Sequence, residues 1–219
     1  MGYETLIGST NHDLRQVEKC IERMIERNVD GVAIMTFGVE EPLIDRLACQ
    51  GILMVFTDVA LQRGGITTIE INYKQGISEA VQHLAVLGHR RIAFITDPNE
   101  EHSPDQRVAA FRSAIASIGL KLPEQCIFFG DHDVDGGSTG TLHLLNLPAP
   151  PTAIMCSNDM SAIGAMRAAF DLGLSIPKDL SLIGSDDIQL AQYTILPLTT
   201  VCMSGREIGA TAVIRLRPP

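Results

Sequence analysis

Lys74-Gln75-Gly76-Ile77-Ser78-Glu79-Ala80-Val81-Gln82-His83-Leu84-Ala85-Val86-Leu87-Gly88-His89-Arg90-Arg91-Ile92-Ala93-Phe94-Ile95-Thr96 is the stretch whose reading decides the fold. Residues 74–87 read as a helix. Gly88 stops it, at the place just past a helix end where the chain turns left-handed and glycine does so without a Cβ penalty. Residues 91–96 then read as a strand. Helix, stop and strand form a unit that recurs on both sides.

Downstream, the pattern predicts a helix at 106–117, a strand at 126–129, a helix at 137–145 and a strand at 153–156. A helix at 160–172 and a strand at 180–184 follow. After a loop come a short strand at 199–202 and a last helix at 206–216. Upstream, residues 5–8 read as a strand. Residues 14–27 read as a helix because Leu14, Val17, Ile21, Met24 and Ile25 recur at the 3.6-residue period. Strands at 31–35, 53–57 and 67–71 and a helix at 41–49 complete the first third. Strand–helix alternation throughout implies an α/β protein whose parallel sheets carry helices on both faces. The units are too many for one open sheet of normal width. Two lobes are therefore expected, residues 1–72 with 203–219 and residues 73–202. The proline-rich run 147–151 reads as a rigid loop.

The 219 residues are 45% hydrophobic and 20% charged, which suits a globular protein and not a disordered one. No apolar run reaches the roughly 18–20 residues that a bilayer requires. Met1-Gly2-Tyr3-Glu4 lacks the basic start and apolar stretch of a secretory signal. A net charge of −9 repels phosphate, so DNA contact would have to come from a segment outside this chain. The five cysteines, Cys20, Cys49, Cys126, Cys156 and Cys202, are scattered and odd in number, with no CxxC pair. Reduced thiols packed as small hydrophobes, in a cytoplasmic protein, are favoured over a disulfide framework or a zinc site.

Ligands of open parallel sheets bind beyond the carboxyl ends of the strands. The polar residues just after each strand are Asp58, Asp97, Ser103 and Arg107, His132, Asn158 and Asp159, and Asp186 and Asp187. Short carboxylates and amides with one arginine suit a polyol: hydroxyls donate to the carboxylates, and guanidinium can donate two parallel bonds. Plainer roles compete. Asp159 opens a helix and reads first as an N-cap. Asp186 and Asp187 read equally well as turn residues. Arg107 sits early in a helix, where a cation opposes the dipole, and that mismatch favours function. Residues 97–101 read as a solvated loop. Residues 131–136 match the first half of an EF-hand loop, but position 12 is Leu142, so they read as an acidic loop and no metal is expected. P-loop, GxGxxG, nucleophile-elbow and triad spacings are missing, so neither an enzyme nor a cofactor is expected.

The same residues fall in a pattern that resembles the lactose-repressor/galactose-repressor family of transcriptional regulators. It is carried in order by Val29-Asp30-Gly31-Val32, by the run His83 to Ile95, by Ser157-Asn158-Asp159, by Ile183-Gly184-Ser185-Asp186-Asp187, and by Pro197-Leu198-Thr199-Thr200-Val201. The resemblance implies two Rossmann-like lobes of the periplasmic-binding-protein type I fold joined by three crossovers. It implies an effector, usually a sugar, nucleobase or related metabolite, in the cleft between them. Arg107 resembles the family's ligand-clamping arginine, and Asn158 and Asp186 its two other recurrent contacts. Asp58 and Ser103 match subfamily-dependent positions. His132 stands where relatives often stack an aromatic. Ser185 replaces the usual aromatic before Asp186, and Ala110 the usual glycine after the arginine; both departures bear on ligand identity.

The resemblance further implies a homodimer and operator DNA read by a helix-turn-helix headpiece missing from this chain. The first strand and helix of the N-terminal lobe and the family's last segments are also missing. Poor stability or aggregation is therefore expected of the chain as written. The alternative is a sugar-binding protein of a transporter, which shares the fold and cleft. The cysteines, the N-terminus and the regulator-type motifs argue against it.

Overall fold

The computed structural model describes residues 4–10, 13–35, 39–58, 64–97 and 106–216. Along the chain run α1 (Leu14–Glu26), β1 (Gly31–Ile34), α2 (Glu41–Cys49), β2 (Leu53–Thr57), β3 (Ile66–Ile69), α3 (Tyr73–Val86) and β4 (Ile92–Thr96). Then come α4 (Gln106–Ser117), β5 (Ile127–Phe129), α5 (Val134–Leu145), β6 (Ala153–Cys156), α6 (Asp159–Asp171), β7 (Ser181–Asp186), β8 (Thr199–Cys202) and α7 (Gly205–Arg215). The chain divides into two compact units, Met1–Ile71 with Gly205–Pro219, and Asn72–Ser204.

The Asn72–Ser204 unit is built on a five-stranded parallel sheet in the order β5-β4-β6-β7-β8. Its central strands are apolar without interruption because both faces are covered. Ile92 and Phe94 of β4 and Ala153 and Met155 of β6 pack against Ile77, Val81 and Leu84 of α3 and Phe111 and Ile115 of α4. Ala93, Ile95, Ile154 and Cys156, their alternates, pack against Leu144 of α5 and Ala162, Ala165 and Ala169 of α6. Two-residue alternation along each strand thus sorts the helices into two layers. α5 and α6 approach without a side-chain layer between them. An ideal Cβ on Gly137 would fall on the Ser161 carbonyl, and one on Gly164 on the Val134 carbonyl.

The other unit holds the parallel sheet β1-β2-β3. Met54 and Phe56 of β2 join Val17 and Ile21 of α1 and Leu43, Ile44 and Leu47 of α2 in one core. At β1, an ideal Cβ on Gly31 would lie 2.9 Å from the Leu216 side chain, just past α7.

Several expected elements need correction. Residues 5–8 are not a strand, and Ile7 is 91% exposed. Among the described residues the sheet of that unit ends at β1, and apolar alternation without a ladder partner makes no strand. The strand expected at 67–71 ends at Ile69, because the next backbone groups turn to Asp58: its N–H donates to the Ile69 carbonyl (2.9 Å) and its Oδ1 accepts from the Ile71 N–H (3.4 Å). Cys126 belongs to a 3-10 turn, Glu124–Cys126, and not to β5. β7 continues two residues past Gly184, to Asp186. The acidic loop at 131–136 is instead the start of α5: Asp133 Oδ1 accepts from the Gly136 N–H at 2.7 Å and so caps the helix, which begins at Val134.

Candidate functional site

Two clusters of polar side chains gather at the carboxyl edge of the five-stranded sheet. The first centres on Asp186, the last residue of β7. Its φ is 109°, and that of Asp187 is 57°. Consecutive left-handed aspartates cost of order 1–3 kcal/mol each and persist only where surroundings over-determine them. The surroundings here are Asp159, which is 0% exposed. Its Oδ2 accepts from the Ile188 N–H at 2.8 Å and its Oδ1 from the Thr200 hydroxyl at 2.6 Å. The Thr200 oxygen in turn accepts from the Asp187 N–H at 3.3 Å. One carboxylate at the head of α6 thus fastens the turn after β7 to β8. The strand leaves room for it only because residue 184 is glycine, whose Cβ would fall on Asp159 Oδ1.

Burial raises the Asp159 carboxyl above its ordinary value, against the pull of the Thr200 hydroxyl and the Ile188 N–H. Asp186 is pushed up to about 6, first by burial and then by the charge of Asp159, while the Arg107 guanidinium works to lower it. Arg107, the second residue of α4, is therefore close enough to act on Asp186. Its Nη2 donates to the Tyr73 hydroxyl at 2.9 Å, and its Cζ lies 4.3 Å from the centre of the Tyr73 ring. Tyr73 opens α3, which Asn72 caps through the Gln75 N–H at 3.1 Å.

The second cluster joins the heads of α5 and α6. Asn158 is 4% exposed. Its Oδ1 accepts from the Ser161 N–H at 2.7 Å, and its Nδ2 donates to the His132 carbonyl at 2.6 Å. The cap of α6 is therefore Asn158, which corrects the expectation for Asp159. His132 has φ 58°, its Nδ1 lies 3.3 Å from the Ser157 hydroxyl, and the Ser161 hydroxyl donates to the Asp133 carbonyl at 3.1 Å.

Arg107, His132, Asn158 and Asp186 thus all stand at the same edge of one unit. Asp58 belongs to the other unit, where it follows β2 with φ 65°. Ser103 lies outside the described residues, as do residues 98–101 of the loop expected after β4. Sequence reasoning missed Tyr73, Ser157 and Thr200. Tyr73 opens a polar first helical turn and Thr200 is one of a Thr pair, where no local pattern marks them. Among the described residues no group of three or more His, Cys, Asp or Glu could hold a metal ion, and no helix is long and apolar enough to cross a membrane.

A family profile described as periplasmic binding protein-like domain matches residues 81–217, which include all four of these residues. The chain belongs to this family. Among its relatives is the HTH-type transcriptional repressor CytR of Escherichia coli K12, 34% identical over 217 residues, 98% of this chain and 63% of that protein. The repressor PurR of Escherichia coli O139:H28 is 33% identical over 213 residues, 96% of this chain and 62% of the relative. The chain thus spans a little under two thirds of the length of both. The crystal structure of a LacI family transcriptional regulator from Enterococcus faecium with bound ribose superimposes with a TM-score of 0.80 at 28% identity, covering 90% of this chain and 74% of that one. Within the periplasmic binding protein-like family, then, this chain is a core of the lactose-repressor/galactose-repressor kind, with the parallel-sheet α/β fold of those regulators.

Proposed function

We propose that this chain is the effector-binding core of a cytoplasmic, homodimeric transcriptional regulator and performs no catalysis. Its effector is a neutral polyol, a sugar or sugar-like metabolite, contacted by Arg107, Asp186, Asn158 and His132. Operator DNA is read by a helix-turn-helix headpiece outside this chain. The observation that carries the reading is the gathering of Arg107, His132, Asn158 and Asp186 beyond the carboxyl ends of one parallel sheet. Guanidinium donates and carboxylate accepts, so the two together suit vicinal hydroxyls, each of which can do both. The kinship with repressors and the ribose in the Enterococcus faecium relative support the same reading.

Charge narrows the ligand class. Asp159, Asp186 and Asp187 outnumber Arg107 around the turn. A phosphorylated sugar would bring a dianion against them, so the free sugar is favoured. The effector regulates only through different affinities for two forms of the regulator. Calorimetric titration with D-ribose, D-glucose, a nucleoside and ribose 5-phosphate tests this. Binding of a neutral polyol, abolished by Arg107→Ala in a variant that melts like the wild type, is the expected result. Affinity unchanged by Arg107→Ala would remove the site assignment, and turnover of a sugar would replace the regulator with an enzyme.

A further inference from the structure

We propose that Tyr73 is a positioning residue for ligand binding, holding the Arg107 guanidinium by one edge and one face at the carboxyl edge of the sheet before any ligand arrives. The proposal rests on the assignment of Arg107 and Asp186 as the ligand-binding pair. The geometry supplies two separate restraints. The Tyr73 hydroxyl accepts from Nη2 at 2.9 Å, which fixes the rotation of the guanidinium plane. The ring lies 4.3 Å from Cζ, within the range of a cation–π contact, which fixes the plane's position. An arginine side chain has several rotatable bonds, and a long cation that must be ordered by its ligand binds it more weakly than one ordered beforehand.

Tyr73 is itself fixed. It is the first residue of α3, immediately after the cap made by Asn72, and its ring packs against the core between α3, α4 and the sheet. Helix start and ring packing together leave the hydroxyl at one place. Asp186 receives its charge environment from Arg107 on α4 and from Asp159 at the head of α6, which is tied in turn to Thr200 on β8. Arg107 is the one cation among those groups, so its placement can be read at Asp186 without any ligand.

The test is a carbon-detected NMR titration of the Asp186 carboxyl in the full chain. In the wild type the midpoint is expected at about 6. Arg107→Gln removes the cation and should raise it. Tyr73→Phe keeps the packing and deletes the hydroxyl, and Tyr73→Leu deletes both restraints. Each should raise the midpoint in that order, by less than Arg107→Gln does. In the Arg107→Gln background neither Tyr73 change should move it, because a positioning residue has no effect once its client is gone. An Asp186 midpoint that responds to Arg107→Gln but to neither Tyr73 change would overturn the proposal and leave the ligand site standing. Tyr73 effects that persist without Arg107 would also overturn it, by showing a packing role. If Arg107→Gln leaves the midpoint where it was, the pairing itself fails, and the proposal with it. Loss of sugar binding is read separately, by calorimetry on the same variants.

Discussion

Asn158 donates to the His132 carbonyl at 2.6 Å while its own carbonyl oxygen caps α6 at the Ser161 N–H, 2.7 Å away. One buried amide therefore holds the left-handed His132 and starts the next helix. Asn158→Ala removes a helix cap and leaves a peptide oxygen short of a donor, at a combined cost of about 2–3 kcal/mol. Asn158→Asp keeps the cap but sets a carboxylate against the His132 carbonyl, so it should also destabilise. Urea unfolding of both variants measures this, and an alanine variant within about 0.5 kcal/mol of wild type would contradict it.

Asp186 should make the protein less stable as the pH rises. Its folded value of about 6 lies above that of a carboxyl in an unfolded chain, about 4. The contribution to stability is therefore complete below pH 4 and is lost as the pH climbs through 6. The loss is on the order of 2 kcal/mol once solvent screening of a partly exposed group is allowed for. Asp186→Asn should match the wild type at pH 4 and exceed it at pH 7.5 in chemical denaturation. Parallel pH profiles for the two proteins would refute this.

Glycine is required where α5 meets α6. Gly164→Ala would drive its methyl group into the Val134 carbonyl, and Gly137→Ala into that of Ser161. Both partners are backbone and cannot swing away, so each change should cost about 3 kcal/mol or prevent folding. Gly173→Ala, in open space but at φ 74°, should cost about 1 kcal/mol through backbone strain alone. Thermal melts of the three variants separate the two causes.

At the opposite edge of the sheet, His89 bridges two strand starts, with Nδ1 2.9 Å from the Thr152 hydroxyl and Nε2 3.0 Å from that of Ser181. Burial lowers its pKa below the ordinary value. Its contribution is thus present above the unfolded pKa and falls away as the pH drops through the folded one, opposite in sense to that of Asp186. His89→Ala should destabilise by about 2 kcal/mol at pH 7.5 and by less at pH 5, again by urea unfolding. A deficit equal at both values would mean the ring only packs.

Elements with a self-contained signal were legible in the sequence. α2, β2, α4, β6 and β8 lie where the pattern put them, because apolar runs and their flanks are local properties. The misreadings share one physical origin. Residues 5–8 have the composition of a strand and no ladder partner. The strand expected to stop at Gly184 runs on through Ser185 and Asp186, which are held in β7 by pairing with Val201 and Cys202. Asp159 reads as a cap from its place before a helix, yet its carboxylate is taken by Thr200, which is 41 residues away. Arg107 stands early in α4, where a cation opposes the dipole; its partner Tyr73 lies in another helix and left no mark at either site.

The glycine contacts between α5 and α6 have a mechanical consequence. With carbonyls seated where side chains would stand, the two helices cannot slide without colliding, and the hydrogen bond that the Asn158 side-chain amide donates to the His132 carbonyl pins their leading ends together. His132 and Asn158 therefore form one stiff jaw, carried as a unit whatever lies against it. Arg107 is different: it reaches its place through a long side chain that lies against the Tyr73 ring. A lineage adapting this fold to a new small molecule would meet steep resistance at the jaw and little at the arginine's support. Divergence in ligand choice should accumulate at position 73 and around α4, while the glycines at 137 and 164 stay fixed.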